Sequence, residues 1–202
     1  MRDISEQLEL VHNFQKVFKH PQNESLTIGK YDTRVLRLKL FKEELGEFAR
    51  ALYNNDKTEQ LDGVIDKLFI LLGTVDYHGM NDMFIDLLKG ELINTNTPID
   101  NYPVEITTLL NMSNFEKRYL AGSVAYREIL LWCVELCTCV FSLYTKLESE
   151  GIVKPNSFAP AFKEVYDSNM SKLENGKPLL REDNKILKGK DYFKPNLKQF
   201  IV

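Results

Sequence analysis

Apolar residues recur at intervals of three and four along most of this chain. Ile4, Leu8, Val11, Phe14 and Phe18 trace one face of an amphipathic helix that stops near His20-Pro21, because the residue ahead of a proline is pushed out of the α region. After a loop, Leu38, Phe41, Leu45, Phe48 and Leu52 keep the same spacing up to the turn-like Asn54-Asn55-Asp56, with Tyr31-Asp32-Thr33 offering N-cap candidates. From Thr58, the residues Leu61, Val64, Ile65, Leu68, Leu71, Leu72 and Val75 make a wider stripe that ends near His78-Gly79. Three helices therefore occupy the first 80 residues.

Met80 to Leu92 reads as a shorter helix, and Asn94-Thr95-Asn96-Thr97-Pro98 opens an irregular connection that Pro103 extends. Residues 104–112 are a further helical candidate. Asn114 to Ser149 holds the most apolar run, Ile129 to Leu147, and predicts one long buried helix or two end to end. Phe162, Val165 and Met170 line a last helix, and no strand-like alternation competes anywhere. The fold class is all-α: a helical bundle in one domain over 1–202, with an extra helical segment at 81–157 and a basic tail at 172–202.

The composition of the 202 residues, 44% hydrophobic and 27% charged, is that of a globular domain with a real core. A net charge of 26 − 29 = −3 gives no reason to expect a nucleic-acid-binding surface. Cys133, Cys137 and Cys139 cluster in the apolar run without a nearby histidine, which favours core packing over a metal site or a disulfide framework. The N-terminus lacks a signal-peptide core, and no run approaches the roughly 20 apolar residues that span a bilayer. A cytoplasmic protein without membrane contact is expected.

The acidic residues change the picture. Glu43, Glu44 and Glu47 fan out on one side of the second helix, bracketed by Leu36, Leu40 and Ala51 in the same sector. A solvated acidic face would continue with polar residues, so these acids are expected to be partly enclosed. Glu59, Asp62 and Asp66 repeat the pattern on the third helix, beside Phe69 and Gly73. Carboxylates crowded on two packed helices repel one another and need a cation. Oxygen ligands at this spacing suit Mg²⁺ or Mn²⁺, which in turn suit a phosphate substrate. The plainer alternative is two exposed acidic surface helices.

A basic tail complements the acids. Residues 172–198 carry seven Lys and one Arg against two Glu and two Asp, and polyphosphate chemistry needs such cationic or amide donors where metal ions do not reach. Asn169, Lys172, Lys188 and Lys190 are available, and Gly176, Pro178, Gly189, Tyr192 and Pro195 argue for an ordered path. On the first helix, His12, Asn13, Phe14 and Phe18 are candidates for stacking and edge contacts to a base, although aromatics at that spacing more often belong to a core.

Glu43-Glu44-Leu45-Gly46-Glu47, followed by Asp62-x-x-x-Asp66-Lys67-Leu68-Phe69-x-x-x-Gly73-Thr74, resembles the all-α nucleotide pyrophosphohydrolases of the MazG-like and phosphoribosyl-ATP pyrophosphohydrolase-like group. Ser168-Asn169-Met170-Ser171-Lys172, Gly176-Lys177-Pro178, Arg181-Glu182-Asp183 and Lys188-Gly189-Lys190-Asp191-Tyr192-Phe193-x-Pro195 resemble the tail of a branch met in bacteria and their phages. The resemblance covers about 1–80 and 158–197. It implies a homo-oligomeric bundle, dimer or tetramer, that hydrolyses the α–β phosphoanhydride of a nucleoside triphosphate, a dNTP above all, to monophosphate and pyrophosphate in nucleotide-pool control.

By the same resemblance, Glu44, Glu47, Asp62 and Asp66 match the Mg²⁺-binding acids, Glu43 is the candidate for orienting or deprotonating water, and Asn169, Lys172, Lys188, Lys190 and Tyr192 would hold substrate. Relatives often write the second acidic motif as ExxD. Here Glu59 and Asp62 meet that spacing, whereas Gly63 stands three before Asp66. Glu59, Asp62 and Asp66 therefore all stay candidate ligands. The segment from about 81 to 157 is longer than a simple link and has no second EExxE: it is a degenerate half completing the bundle or an added oligomer surface. The rival from another class is a non-catalytic helical protein whose acidic pocket stores a cation or engages a basic partner.

Overall fold

Two long helices joined by three residues organise the molecule. In this computed structural model, which describes residues 4–92 and 113–202, α2 runs over Tyr31–Tyr53 and α3 over Lys57–Tyr77. Asn55 takes a left-handed conformation at the turn. Asp56 caps α3, its carboxylate accepting from the Thr58 and Glu59 N–H groups at 3.1 Å each, so the predicted turn is also a helix start. The cap expected among Tyr31, Asp32 and Thr33 is not made: Lys30 precedes α2 and no side chain caps it. Instead, the Lys30 N–H donates to the Tyr77 hydroxyl at 2.6 Å, and Arg34 donates to the Gly29 carbonyl.

Two glycines set how α2 and α3 meet. A Cβ on Gly63 would lie 3.0 Å from Phe48 Cβ, and one on Gly73 would lie 2.5 Å from Arg37 Nη1. The antiparallel register thus sets Phe48 against Gly63 and Arg37 against Gly73. Glu44 and Asp66 fall between these two contacts, on facing turns.

Around this hairpin stand α1 (Ser5–Val17), α4 (Asn81–Leu92), α5 (Ser113–Ala121), α6 (Tyr126–Ser149) and α7 (Phe158–Met170), followed by a 3₁₀ turn at Leu197–Phe200. The described residues are helical apart from loops and isolated bridges, and the all-α expectation holds. The apolar run from Asn114 onward is two helices. Gly122, at φ +70°, ends α5 with its N–H on the Tyr119 carbonyl, a conformation glycine adopts without cost. The candidate helix at 104–112 and the connection through Pro103 lie outside the described residues.

One continuous apolar core joins all seven of these helices. Its axis is α6, where Ile129, Cys133, Cys137, Val140 and Leu143 are fully buried. This helix corrects the expectation that no run is long enough to cross a bilayer, since its 24 residues meet that test by length and composition. Its most apolar stretch is 61% buried inside the protein, packed against α3 and α4. None of the three cysteines is in a disulfide, and burial pushes the Cys133 and Cys137 thiols up, as expected of core residues.

The tail leaves α7 at Met170 and follows an ordered path. It turns at Asn175-Gly176 and again at Asn184, all at positive φ, and closes a small hairpin in which Leu187 N–H donates to Leu179 O at 2.8 Å. Its far end is pinned by the Val153–Ile201 bridge and by Val202 N–H on the Ile152 carbonyl at 3.1 Å.

Candidate active site

A recess of about 150 Å³ opens where α1, α2, α3, the end of α7 and the tail converge. At one end are Glu43 and Glu44 from α2, Asp66 from α3, and Asn169 and Lys172 from the α7 terminus. Sequence pattern alone places these five together as acids, amide and cation of one site, and the fold brings them to one cavity.

The six predicted acids divide into two kinds. Glu44, Asp62 and Asp66 crowd one another. Burial first, then Glu47 and Asp62, raise the Glu44 carboxyl to about 7. Burial and then Glu44 raise Asp66 to about 7, and burial with Asp66 and Glu59 raises Asp62 to about 8. Asp62 Oδ1 is buried with no hydrogen-bond partner among the described residues. The other three acids have cations of their own: Glu43 accepts from Lys185 Nζ at 2.6 Å, Glu59 accepts from Lys194 Nζ at 2.5 Å, and the exposed Glu47 lies 3.7 Å from Arg50.

No group of three or more His, Cys, Asp or Glu side chains among the described residues forms a ready-made metal cage. Facing carboxylates do not close up unaided. The donor set nevertheless fits a hard divalent cation: it is all oxygen, it carries an orphaned buried oxygen at Asp62, and it holds more negative charge than its surroundings tolerate.

Lys172 stands against this excess. It donates to Asn169 Oδ1 at 2.5 Å. Burial lowers its pKa, with Lys188 adding to the effect, while Asp66 and Glu44 oppose it. The remaining predicted tail residues do not line the recess. Lys188 lies over the Tyr192 ring at 4.4 Å and Lys190 is exposed. Lys185, three residues before Lys188, takes the place the sequence reading gave to them. No motif marks it, although its small hairpin is signalled by Asp183-Asn184.

The other end of the recess was not anticipated. Arg37, 8% exposed, donates through Nη2 to Gln15 Oε1, and burial lowers its pKa to about 10. Gln15 donates onward to Asp76 Oδ2. Asp76, 2% exposed, also accepts from Gln22 at 3.1 Å and Asn81 at 2.9 Å and lies 2.8 Å from His12 Nδ1. Burial pushes Asp76 up, but the hydrogen bonds from Asn81, His12 and Gln22 outweigh it and hold its pKa below the usual value. His20 is neutral, lowered to about 4 by burial and Arg37.

Of the helix α1 base-contact candidates, only Phe14 lines the recess. Phe18 is buried against it at 4.3 Å, His12 belongs to the Asp76 network, and Asn13 donates to the Tyr166 hydroxyl at 2.7 Å. The signal for Arg37 was present: it sits four residues before Phe41, on the stripe that continues through Leu45 and Phe48.

Residues 11–86 match the family model of phosphoribosyl-ATP pyrophosphohydrolase. This stretch carries α1 from Val11, the whole α2–α3 hairpin and the start of α4, so the pyrophosphohydrolase-type resemblance holds for the part of the chain that bears the acids. The chain is also similar to an uncharacterized protein, L479, of Acanthamoeba polyphaga mimivirus, at 26% identity over 181 residues covering 82% of this chain and 70% of the relative. No solved structure matches.

Proposed function

We propose that this protein is a Mg²⁺-dependent nucleoside triphosphate pyrophosphohydrolase that cleaves the α–β phosphoanhydride, with a dNTP as substrate and nucleotide-pool control as its role. The observation that carries this reading is the crowding of Glu44, Asp62 and Asp66 beside Lys172 and Asn169. Such an arrangement is unfavourable empty, and a polyphosphate with divalent cations relieves it. The match of 11–86 supports the same bond class.

Glu44, Asp62 and Asp66, with Glu47 and Glu59 at the rim, would hold Mg²⁺ or Mn²⁺, which would neutralise phosphate oxygens and acidify water. Lys172 and the Asn169 amide hold phosphate oxygens that the acids repel. Glu43 would take the proton of the attacking water once Lys185 turns from it toward the phosphates. The water oxygen forms a bond to one phosphorus of the α–β bridge, the bridging P–O bond breaks, and monophosphate and pyrophosphate leave.

Incubation of the full chain with each dNTP and Mg²⁺ or Mn²⁺, with product identification, tests this. Pyrophosphate with monophosphate is expected, and Glu47→Ala and Lys172→Ala lower kcat/KM. Orthophosphate with diphosphate contradicts the bond. No turnover of any nucleotide sinks the enzyme reading and leaves a cation-binding helical protein. Light scattering of the purified chain measures whether it is the expected dimer or tetramer.

A further inference from the structure

The recess has two chemically different ends, and the register of α2 against α3 fixes their separation. Arg37 lies 44 − 37 = 7 residues from Glu44, and Gly73 lies 73 − 66 = 7 residues from Asp66, which is about 10 Å of helix at 1.5 Å per residue. That is two turns, the reach of a sugar and a base from the phosphate they carry. Between the ends, Val11, Phe14, Leu40 and Ile70 give the recess apolar walls. Its volume of about 150 Å³ is well below the roughly 300–1,000 Å³ of sites that enclose a whole drug-sized ligand, so it takes in a nucleotide only in part.

Arg37 is the unusual group here. Among the described residues it is a buried cation that forms no ion pair with a carboxylate, and its guanidinium donates to Gln15. A guanidinium carries five donors in a flat fork; no Arg37 nitrogen is among the buried atoms left without a partner, and the side chain lines the recess, where a ligand can meet the donors that Gln15 does not take. Gln15 cannot swing away, because its amide nitrogen is committed to Asp76. Gly73 gives the guanidinium its room, as a Cβ there would collide with Nη1. On the same recess, His20 Nε2 is buried without a hydrogen-bond partner among the described residues. The Asp76–Gln15–Arg37 chain thus presents a fixed fork of donors at the end of an apolar slot.

We propose that this end of the recess binds the nucleobase and that Arg37 selects a 6-oxopurine through its adjacent O6 and N7 acceptors. The inference rests on reading the acidic end as the phosphate site. Adjacent acceptors on one edge are what an arginine fork reads in guanine; adenine sets its N6 donor beside N7, cytosine offers an N4 donor, and thymine has a single O4 acceptor on that edge. A phosphate at Arg37 is disfavoured by the apolar walls and by the two helical turns between Arg37 and Glu44, an acid that Lys172 faces. A site built on hydrogen bonds rejects analogues that leave its buried donors unpaired.

Calorimetric titration of the full chain with nucleoside monophosphates, without metal, reads base recognition independently of hydrolysis. Expected are dGMP and dIMP binding within about threefold of each other and about tenfold or more tighter than dAMP, dCMP and TMP. Removing N7 in 7-deaza-dGMP weakens binding about fivefold or more, and Arg37→Gln levels the series. Equal or tighter binding of dAMP or a pyrimidine nucleotide overturns the proposal, as does 7-deaza-dGMP binding as tightly as dGMP. If Arg37→Gln does not fold, the 7-deaza comparison on the unaltered chain decides. A dGMP preference in a protein that hydrolyses nothing supports base selection and sinks the hydrolase reading. Indifference to base in a protein that releases pyrophosphate does the reverse.

Discussion

Asp66 and Asp76 lie ten residues apart on one helix, and their surroundings drive them in opposite directions. Asp76 is the more enclosed of the two, yet its carboxylate is held in the ionised form by donors from α1, the following loop and α4. Asp66 is raised first by burial and then by the acids it faces, so its proton is retained up to about 7. Burial alone does not distinguish a structural acid from a functional one. What distinguishes them is whether the fold supplies the counter-dipoles itself or leaves them to be supplied from outside.

The largest test of this contrast is pH. Glu44, Asp62 and Asp66 have folded-state values of about 7, 8 and 7, above those of the unfolded chain. Between about pH 4 and 8 the folded protein therefore binds more protons than the unfolded one, and its stability falls as pH rises. Each carboxyl kept protonated contributes about 1.4 kcal/mol per pH unit, so one such group over three units is worth about 4 kcal/mol. Urea midpoints of metal-free protein from pH 5 to 8 measure it, and a flat or rising profile breaks the contrast. Millimolar Mg²⁺ flattens the slope, because the cation replaces the lost protons.

Asp76→Ala comes next, with a loss of about 3 kcal/mol or more from stranding several buried donors. Asp66→Asn has the opposite sign: it raises the urea midpoint of the metal-free protein at pH 8 by the equivalent of about 2 kcal/mol, while abolishing turnover. Two aspartates of one helix whose neutral variants shift stability the same way would remove the distinction. The smallest effect belongs to Lys194→Ala. Its pair with Glu59 is 63% and 41% exposed, and removing it changes stability by under about 1 kcal/mol, with a clear effect only on how tightly the tail holds the acids.

Much of this was legible beforehand because helical periodicity is strong. The stripes through Phe41, Leu45 and Phe48 and through Leu61, Ile65 and Leu68 locate α2 and α3 within a residue or two, and the apolar bracketing of Glu44 announces its enclosure. Two features resisted. Gly122 divides the long apolar segment because it adopts a left-handed conformation, a choice of backbone dihedral that periodicity does not encode. Lys185 and Lys188 are equivalent as sequence, and only the hairpin turning at Asn184 aims the first at Glu43 and leaves the second over Tyr192. Arg37 was hidden differently, as a cation on a stripe where apolar neighbours dominate the eye.

The tail is held at both ends, by its continuity with α7 and by the Val153–Ile201 bridge and the Val202 contact. Between those anchors it is also tied back to α7, where Ser168 Oγ donates to the Phe193 carbonyl at 2.7 Å and the Phe193 N–H donates to Ser171 Oγ at 3.1 Å, so the stretch from Lys172 to Phe193 is a closed loop of limited entropy. Losing the Ser168 and Ser171 contacts to Phe193 would replace this short loop by a longer one closed only near Ile201. The lysines nearest the acids would then lose effective concentration without any change in their chemistry.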